Sequence, residues 1–224
     1  MGEAKRRRAL GEFDYWYHGT DEHFTQWASP PAKTKYKIEL YPHPFLSLSK
    51  DKELAQNAGK NTGGLCRSKI LLTAKVLDLR YKSADSMAHW EMVRSSTVGK
   101  HHALIQSFES WVQACTSGEV LRLHTSNEEL LSRLGRLQAI YFADTSPIQE
   151  KALAHLEVQN FTRRWINDVI LPAYQLGYDA VICAEIDRYR TKGAKACVNL
   201  YAFSPQALTA PDWLAIPNES LMLS

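Results

Sequence analysis

Gly177-Tyr178-Asp179-Ala180-Val181-Ile182-Cys183-Ala184, then a polar stretch from Asp187 to Lys195, then Cys197-Val198-Asn199-Leu200-Tyr201-Ala202-Phe203: the order of these three pieces decides the fold. The Gly-Tyr-Asp corner caps a helix, because glycine readily adopts the left-handed conformation that ends one. The apolar run after it is short, which reads as a buried strand. Charge and Gly193 then mark a loop that returns the chain to a closing strand beside the first. Neighbouring strands after a long helical block point to an α+β protein.

Working outward, the block from about Ser83 to Leu176 carries apolar residues three and four apart: Trp90 and Val93, then Leu104, Phe108 and Trp111, then Leu130, Leu131, Leu134 and Leu137. That spacing is helical. Ser126-Asn127-Glu128-Glu129 and Ser146-Pro147-Ile148-Gln149 read as helix starts, and a last helix over about 159–176 is kinked or restarted by Pro172. Upstream, the cluster Phe13, Tyr15, Trp16, Tyr17 opens a strand that ends at Gly19, and Asp21 to Lys37 reads as a loop. Phe45 to Ser49 is a strand with one wet face. Asp51 caps a helix over Lys52 to Ala58, and Lys69 to Leu79 reads as a central strand. The expectation is one domain over 1–224 with a helical insertion at about 83–176.

With 224 residues, 45% apolar and 23% charged, the chain has the composition of an ordinary folded domain. No apolar stretch approaches the roughly 20 residues of a membrane span, so a cytoplasmic protein without a membrane partner is expected. Cys66, Cys115, Cys183 and Cys197 show no metal-ligand spacing, which predicts free or buried thiols and no metal. Lys and Arg number 27 against 24 Asp and Glu, a balance too even to argue a nucleic-acid partner from overall charge. Lys5 to Arg8 form a local basic run. His101-His102 is read as surface or packing, and Trp90, Trp111 and Trp165 as core aromatics. There is no glycine fingerprint of a βαβ nucleotide site.

Tyr17-His18-Gly19-Thr20 at a strand end, Phe45-Leu46-Ser47-Leu48-Ser49-Lys50-Asp51 before a short helix, and Gly177 to Ile182 leading to Asn199-Leu200-Tyr201-Ala202-Phe203-Ser204-Pro205 occur in that order. The ordered set resembles the NAD-dependent ADP-ribosyltransferase superfamily. The resemblance implies a split β-sandwich core holding NAD in a cleft. His18 would contact a ribose of NAD, with Thr20 closing the motif. Gly19 would let the backbone approach the nicotinamide amide, where a Cβ would crowd the ring. Ser47 and Ser49 would support the sugar and the catalytic carboxylate, although Leu48 departs from the family's middle residue.

The family's carboxylate is usually a Glu at the start of the last core strand, and the matching position here is Asn199. An amide carries no charge and is no general base. Glu185, at the end of the preceding strand, offers a replacement, with a solvated ion-paired turn beside Asp187, Arg188 and Arg190 as the opposing reading. The loop's Arg188, Tyr189 and Arg190 combine charge with a stacking face. The resemblance therefore implies a bacterial or phage-type mono-ADP-ribosyltransferase. It would transfer ADP-ribose from NAD to a macromolecular acceptor, RNA or DNA slightly favoured over protein. A role as the toxin of a toxin–antitoxin or phage-defence system, neutralised by an antitoxin, goes with it. The alternatives are an inactive module of the same fold that binds nucleic acid or protein, and an RNA 2′-phosphotransferase gripping phosphate through Arg67 and Arg80. A competing alignment matches Ile140-Tyr141-Phe142-Ala143-Asp144 to a strand of the poly-ADP-ribose polymerase branch, with Tyr141 lining the site.

Overall fold

A computed structural model describes residues 15–28, 40–58, 64–96, 99–123, 125–186 and 195–216. In chain order they form β1 (Trp16–Thr20), β2 (Leu46–Ser49), α1 (Lys52–Ala58), β3 (Gly64–Ser68), β4 (Val76–Asp78), α2 (Ala84–Ser95), α3 (Phe108–Ser117), α4 (Glu128–Phe142), α5 (Ile148–Ile170), α6 (Pro172–Gln175), β5 (Ala180–Ile186), β6 (Ala196–Ala202) and β7 (Asp212–Ala215). The protein is mixed α+β. Its seven-stranded sheet has the order β4-β5-β6-β2-β1-β3-β7, antiparallel throughout except for the parallel β4–β5 pair.

The β5–β6 pair is in register from Ala180↔Ala202 to Ile186↔Ala196, and alternation along it divides the molecule into two apolar layers. Val181, Cys183, Tyr201 and Phe203 face the helical block, where they meet Trp111, Trp165, Val169 and Ile170. Ala180, Ile182, Leu200 and Ala202 face the other way, onto Trp16, Leu48, Cys66 and Ile70. Both halves of the sheet therefore contribute to that second layer. Burying a large apolar side chain on either face contributes about 1.5–3 kcal/mol.

Local signals explain most helix ends. The Ser83 hydroxyl accepts from Ser86 N–H at the start of α2 while the Ser86 hydroxyl accepts from Ser83 N–H, a reciprocal cap. Asn127 Oδ1 caps α4 through Leu130 N–H at 3.0 Å, and Asp51 Oδ1 caps α1 through Leu54 N–H at 3.1 Å. Pro172 restarts the chain as α6, and Gly177, at φ 82°, ends it. Asp179 then fixes where the strands begin: its carboxylate accepts from Lys75 N–H, its own N–H donates to the Lys75 carbonyl, and its carbonyl accepts from Phe203 N–H.

Three expectations are corrected. Lys69 to Leu79 is not a central strand: Ile70 makes an isolated bridge to Leu208, the chain turns at Leu72-Thr73, and only Val76–Asp78 pairs, at the sheet edge. The run is apolar because it crosses from one half of the sheet to the other beneath the second layer, to which Ile70, Ala74 and Val76 belong. Ile140 to Phe142 is the last turn of α4 rather than a strand, which removes Tyr141 as a site residue under the competing alignment. The helix expected over about 159–176 starts eleven residues earlier, at Ile148, because Pro147 opens one continuous helix. Sequence reading also missed β3 and β7, short strands without clear alternation.

The core aromatics and thiols behave as expected. Trp90 and Trp165 donate from their indole nitrogens to the Ile105 and Val120 carbonyls, and His102 stacks on Trp165. All four cysteines are buried thiols outside any disulfide. Among the described residues no helix is long and apolar enough to cross a membrane. Lys5 to Arg8 lie outside the described residues.

His89 is fully buried against Trp111. Burial lowers its pKa to about 4, with the Val169 and Ile170 backbone opposing. An unfolded chain protonates it near 6.5, so its stabilising contribution is complete above that pH and is lost as the pH falls toward 4, by about 3 kcal/mol. Thermal midpoints measured between pH 7.5 and 4.5 are expected to fall with acid, and less steeply in His89→Leu.

Candidate functional site

β1 and β2 are joined through one residue pair, Tyr17↔Ser49, whereas β1 pairs with β3 along its whole length and β2 with β6 along its own. The sheet therefore parts beyond that pair. His18 spans the gap, its Nδ1 lying 2.9 Å from the Ser47 carbonyl oxygen. That oxygen can only accept, so Nδ1 carries the proton. Burial holds the His18 pKa below its usual value, opposed by the bond to Ser47, so the ring is neutral and Nε2 is an acceptor. Phe24 and Trp27 pack edge-on against the imidazole.

A cleft of about 440 Å³ opens at the split, a size typical of small-molecule sites. β1 contributes Tyr17, His18 and Gly19, and β2 contributes Ser47 and Ser49. Glu185, Asn199 and Tyr201 come from β5 and β6, while α1 and α5 close the sides through Leu54, Ala55, Thr162 and Arg163. Register accounts for this convergence. Ser49 lies opposite Asn199 and Ser47 opposite Tyr201, while Cys183 lies opposite Asn199 from the other side. The two serines, Asn199 and Tyr201 thus share a face with Glu185, two residues beyond Cys183.

Glu185 Oε2 accepts from Asn199 Nδ2 at 2.9 Å and from the Tyr201 hydroxyl at 2.8 Å. Burial, and next the neighbouring Glu185 charge, raise the Tyr201 pKa well above its ordinary value, so Tyr201 stays protonated and donates. With both bonds on Oε2, Oε1 has none among the described residues. The opposing expectation, a solvated ion-paired turn beside Asp187, Arg188 and Arg190, falls on partners that lie outside the described residues. Asn199 is 5% exposed, and its Oδ1 is buried without a hydrogen-bond partner. Leaving such an acceptor unmet costs about 1–3 kcal/mol.

Thr20 stands apart: it is not among the cleft-lining residues, and its hydroxyl accepts from Glu22 N–H in the turn after β1. The Ser49 hydroxyl likewise accepts from Asp51 N–H, so it helps start α1 as well as lining the cleft. Arg67 pairs with Asp212 and Arg80 with Asp78. β3 and β4 lie far apart in the strand order, and neither arginine lines the cleft. The phosphate grip expected of a phosphotransferase is therefore not built from these two residues. Arg188, Tyr189 and Arg190 lie outside the described residues. Among the described residues no group of His, Cys, Asp and Glu is arranged to hold a metal ion.

Sequence reading missed Tyr201, Arg163 and Gly118. Tyr201 was detectable, because it falls two residues after Asn199 on a strand. Arg163 carried no local signal, since nothing in a helical pattern says which strand edge it will face. Gly118 ends α3 at φ +84°, and a Cβ there would stand 2.8 Å from the Glu185 carbonyl carbon. It thus lets the helical block press against the backbone that carries the carboxylate.

Comparison with known proteins returns no match to a family model, a curated protein or a solved structure.

Two substitutions test this geometry. Gly118→Ala is expected to lower stability by about 1–3 kcal/mol through a strained backbone and the clash with Glu185, read as a shift in the urea midpoint. Tyr201→Phe leaves the carboxylate with one donor and is expected to cost about 1.5–3 kcal/mol, the range for a hydrogen bond to a charged group, by the same measurement.

Proposed function

We propose that this protein is a mono-ADP-ribosyltransferase that transfers ADP-ribose from NAD to a macromolecular acceptor. The carrying observation is that Glu185, fastened by Asn199 and Tyr201, lies in the same cleft as His18, Ser47 and Ser49.

In this reading the neutral His18 accepts a ribose hydroxyl through Nε2, and Gly19 leaves room for the nicotinamide carboxamide. Asn199 holds Glu185 in place through Nδ2. Glu185 stabilises the positive charge that develops at the anomeric carbon as the glycosidic bond breaks and neutral nicotinamide leaves with the electron pair. As the acceptor atom bonds to that carbon, Glu185 takes its proton. Tyr201 keeps the carboxylate aimed without discharging it, because the phenol remains protonated.

The uncharged Asn199 at the family's carboxylate position favours a second reading, an inert module of the same fold. One experiment separates the two. The full chain is incubated with NAD labelled in the adenylate part and with mixed RNA, DNA and protein. Label transfer and nicotinamide release are expected, falling roughly 100-fold or more in Glu185→Gln while the circular dichroism spectrum is retained. Unchanged NAD in every mixture would favour the inert module, and full activity in Glu185→Gln would remove the assigned carboxylate.

A further inference from the structure

α5 carries one wall of the cleft outward, beyond the sheet. Gln159, Thr162 and Ile166 line the cleft, and steps of three and four residues continue that line toward the helix start through His155, Ala152 and Ile148. At about 100° per residue all six fall within roughly 40° of one line along the helix. From Ile166 to Ile148 the line runs about 27 Å.

Side-chain contacts follow the same course. Gln159 Nε2 donates to His155 Nε2 at 2.9 Å, the Tyr141 ring of α4 stacks on His155 with centroids 5.2 Å apart, and Phe142 meets Tyr141 edge-on at 5.0 Å. The cleft and the tip of the α4–α5 hairpin are therefore joined by touching side chains. Phe142 ends α4 and Ile148 begins α5. At 74% and 87% exposed, they are the two most exposed large apolar side chains among the described residues. Apolar surface gathered in this way marks a place where another molecule binds.

Charge decides what kind of molecule. Neither the six residues of the stripe nor Tyr141 and Phe142 include an Asp, Glu, Lys or Arg. The cations beside the stripe, Lys151 and Arg163, are separated by about 18 Å along the helix, and Asp144 and Glu150 stand near the turn. Single-stranded nucleic acid also stacks on exposed rings, but it needs a cationic track for its backbone. Two cations so far apart do not make one. Neutral aromatic and aliphatic anchors are what the centre of a protein–protein contact uses.

We propose that this face of the α4–α5 hairpin is the docking platform for the acceptor and that the acceptor is a protein, which lays an apolar segment on Tyr141, Phe142 and Ile148 while its modified side chain enters the cleft past Gln159. This rests on the cleft being the transferase site, and it narrows the acceptor from any macromolecule to a protein.

The test measures label transfer by the full chain from NAD labelled in the adenylate part, over a range of concentrations of separate protein, RNA and DNA preparations. Label is expected to enter protein. Phe142→Ser combined with Ile148→Ser is expected to raise the half-saturating protein concentration roughly 10-fold or more, with the maximal rate and the circular dichroism spectrum retained. Leu153→Ser makes the same kind of change at a 51% exposed position of α5 that lies about 140° from the stripe, and it is expected to match wild type. Label confined to RNA or DNA overturns the protein acceptor. An unchanged half-saturation in the double variant, or an equal rise in Leu153→Ser, overturns the platform and leaves the transferase reading standing. NAD left unconsumed by wild type in every preparation removes both.

Discussion

The register of β5 against β6 is the constraint on which the rest depends. With Cys183 opposite Asn199 and Val181 opposite Tyr201, one set of side chains enters the helical layer and the other enters the layer shared with β1 and β3. A slip by one residue would exchange the two sets, turning Tyr201 and Asn199 away from the cleft and Leu200 into it. The hydrogen bonds from Asn199 and Tyr201 to Glu185 are consequences of that register, and they also oppose a slip. Structure and chemistry are specified by one pairing.

The second organising feature is the parting of the sheet beyond Tyr17 and Ser49. A continuous ladder would set Ser47 and Gly19 against each other and leave no opening. An imidazole occupies the place of the next backbone rung instead, and its bond to the Ser47 carbonyl offsets part of the lost pairing. Neutrality matters for this role. A charged imidazole would present no acceptor at Nε2 and would carry its charge against Phe24 and Trp27.

Much of this was legible in the sequence, for local reasons. The cap at Asp51, the restart at Pro172 and the stop at Gly177 are encoded within a turn or two, and the strand pair 180–186 and 196–202 shows in its apolar content. His18, Gly19, Ser47, Ser49 and Asn199, chosen by motif order, do line one cleft, together with Glu185, chosen from its place at the end of the preceding strand. Thr20 does not, because its hydroxyl serves a local turn. What failed was long-range. Lys69 to Leu79 has the composition of a central strand, yet its middle is spent crossing between the sheet halves. The α5 wall was invisible because a helix pattern says which face is buried but not against which strand.

Gly118 carries an implication for anyone dissecting this chain. A residue without a side chain lets the helices between the fourth and fifth strands rest directly on the main chain bearing Glu185, while Trp165 and Val169 of those helices cover the apolar side of both long strands. The segment between the strands is inserted in sequence but not in architecture. Excising it to obtain a minimal version would strip one flank of the sheet and remove a side of the cleft in the same cut. Shortening the exposed α4–α5 turn is the gentler route to a smaller protein.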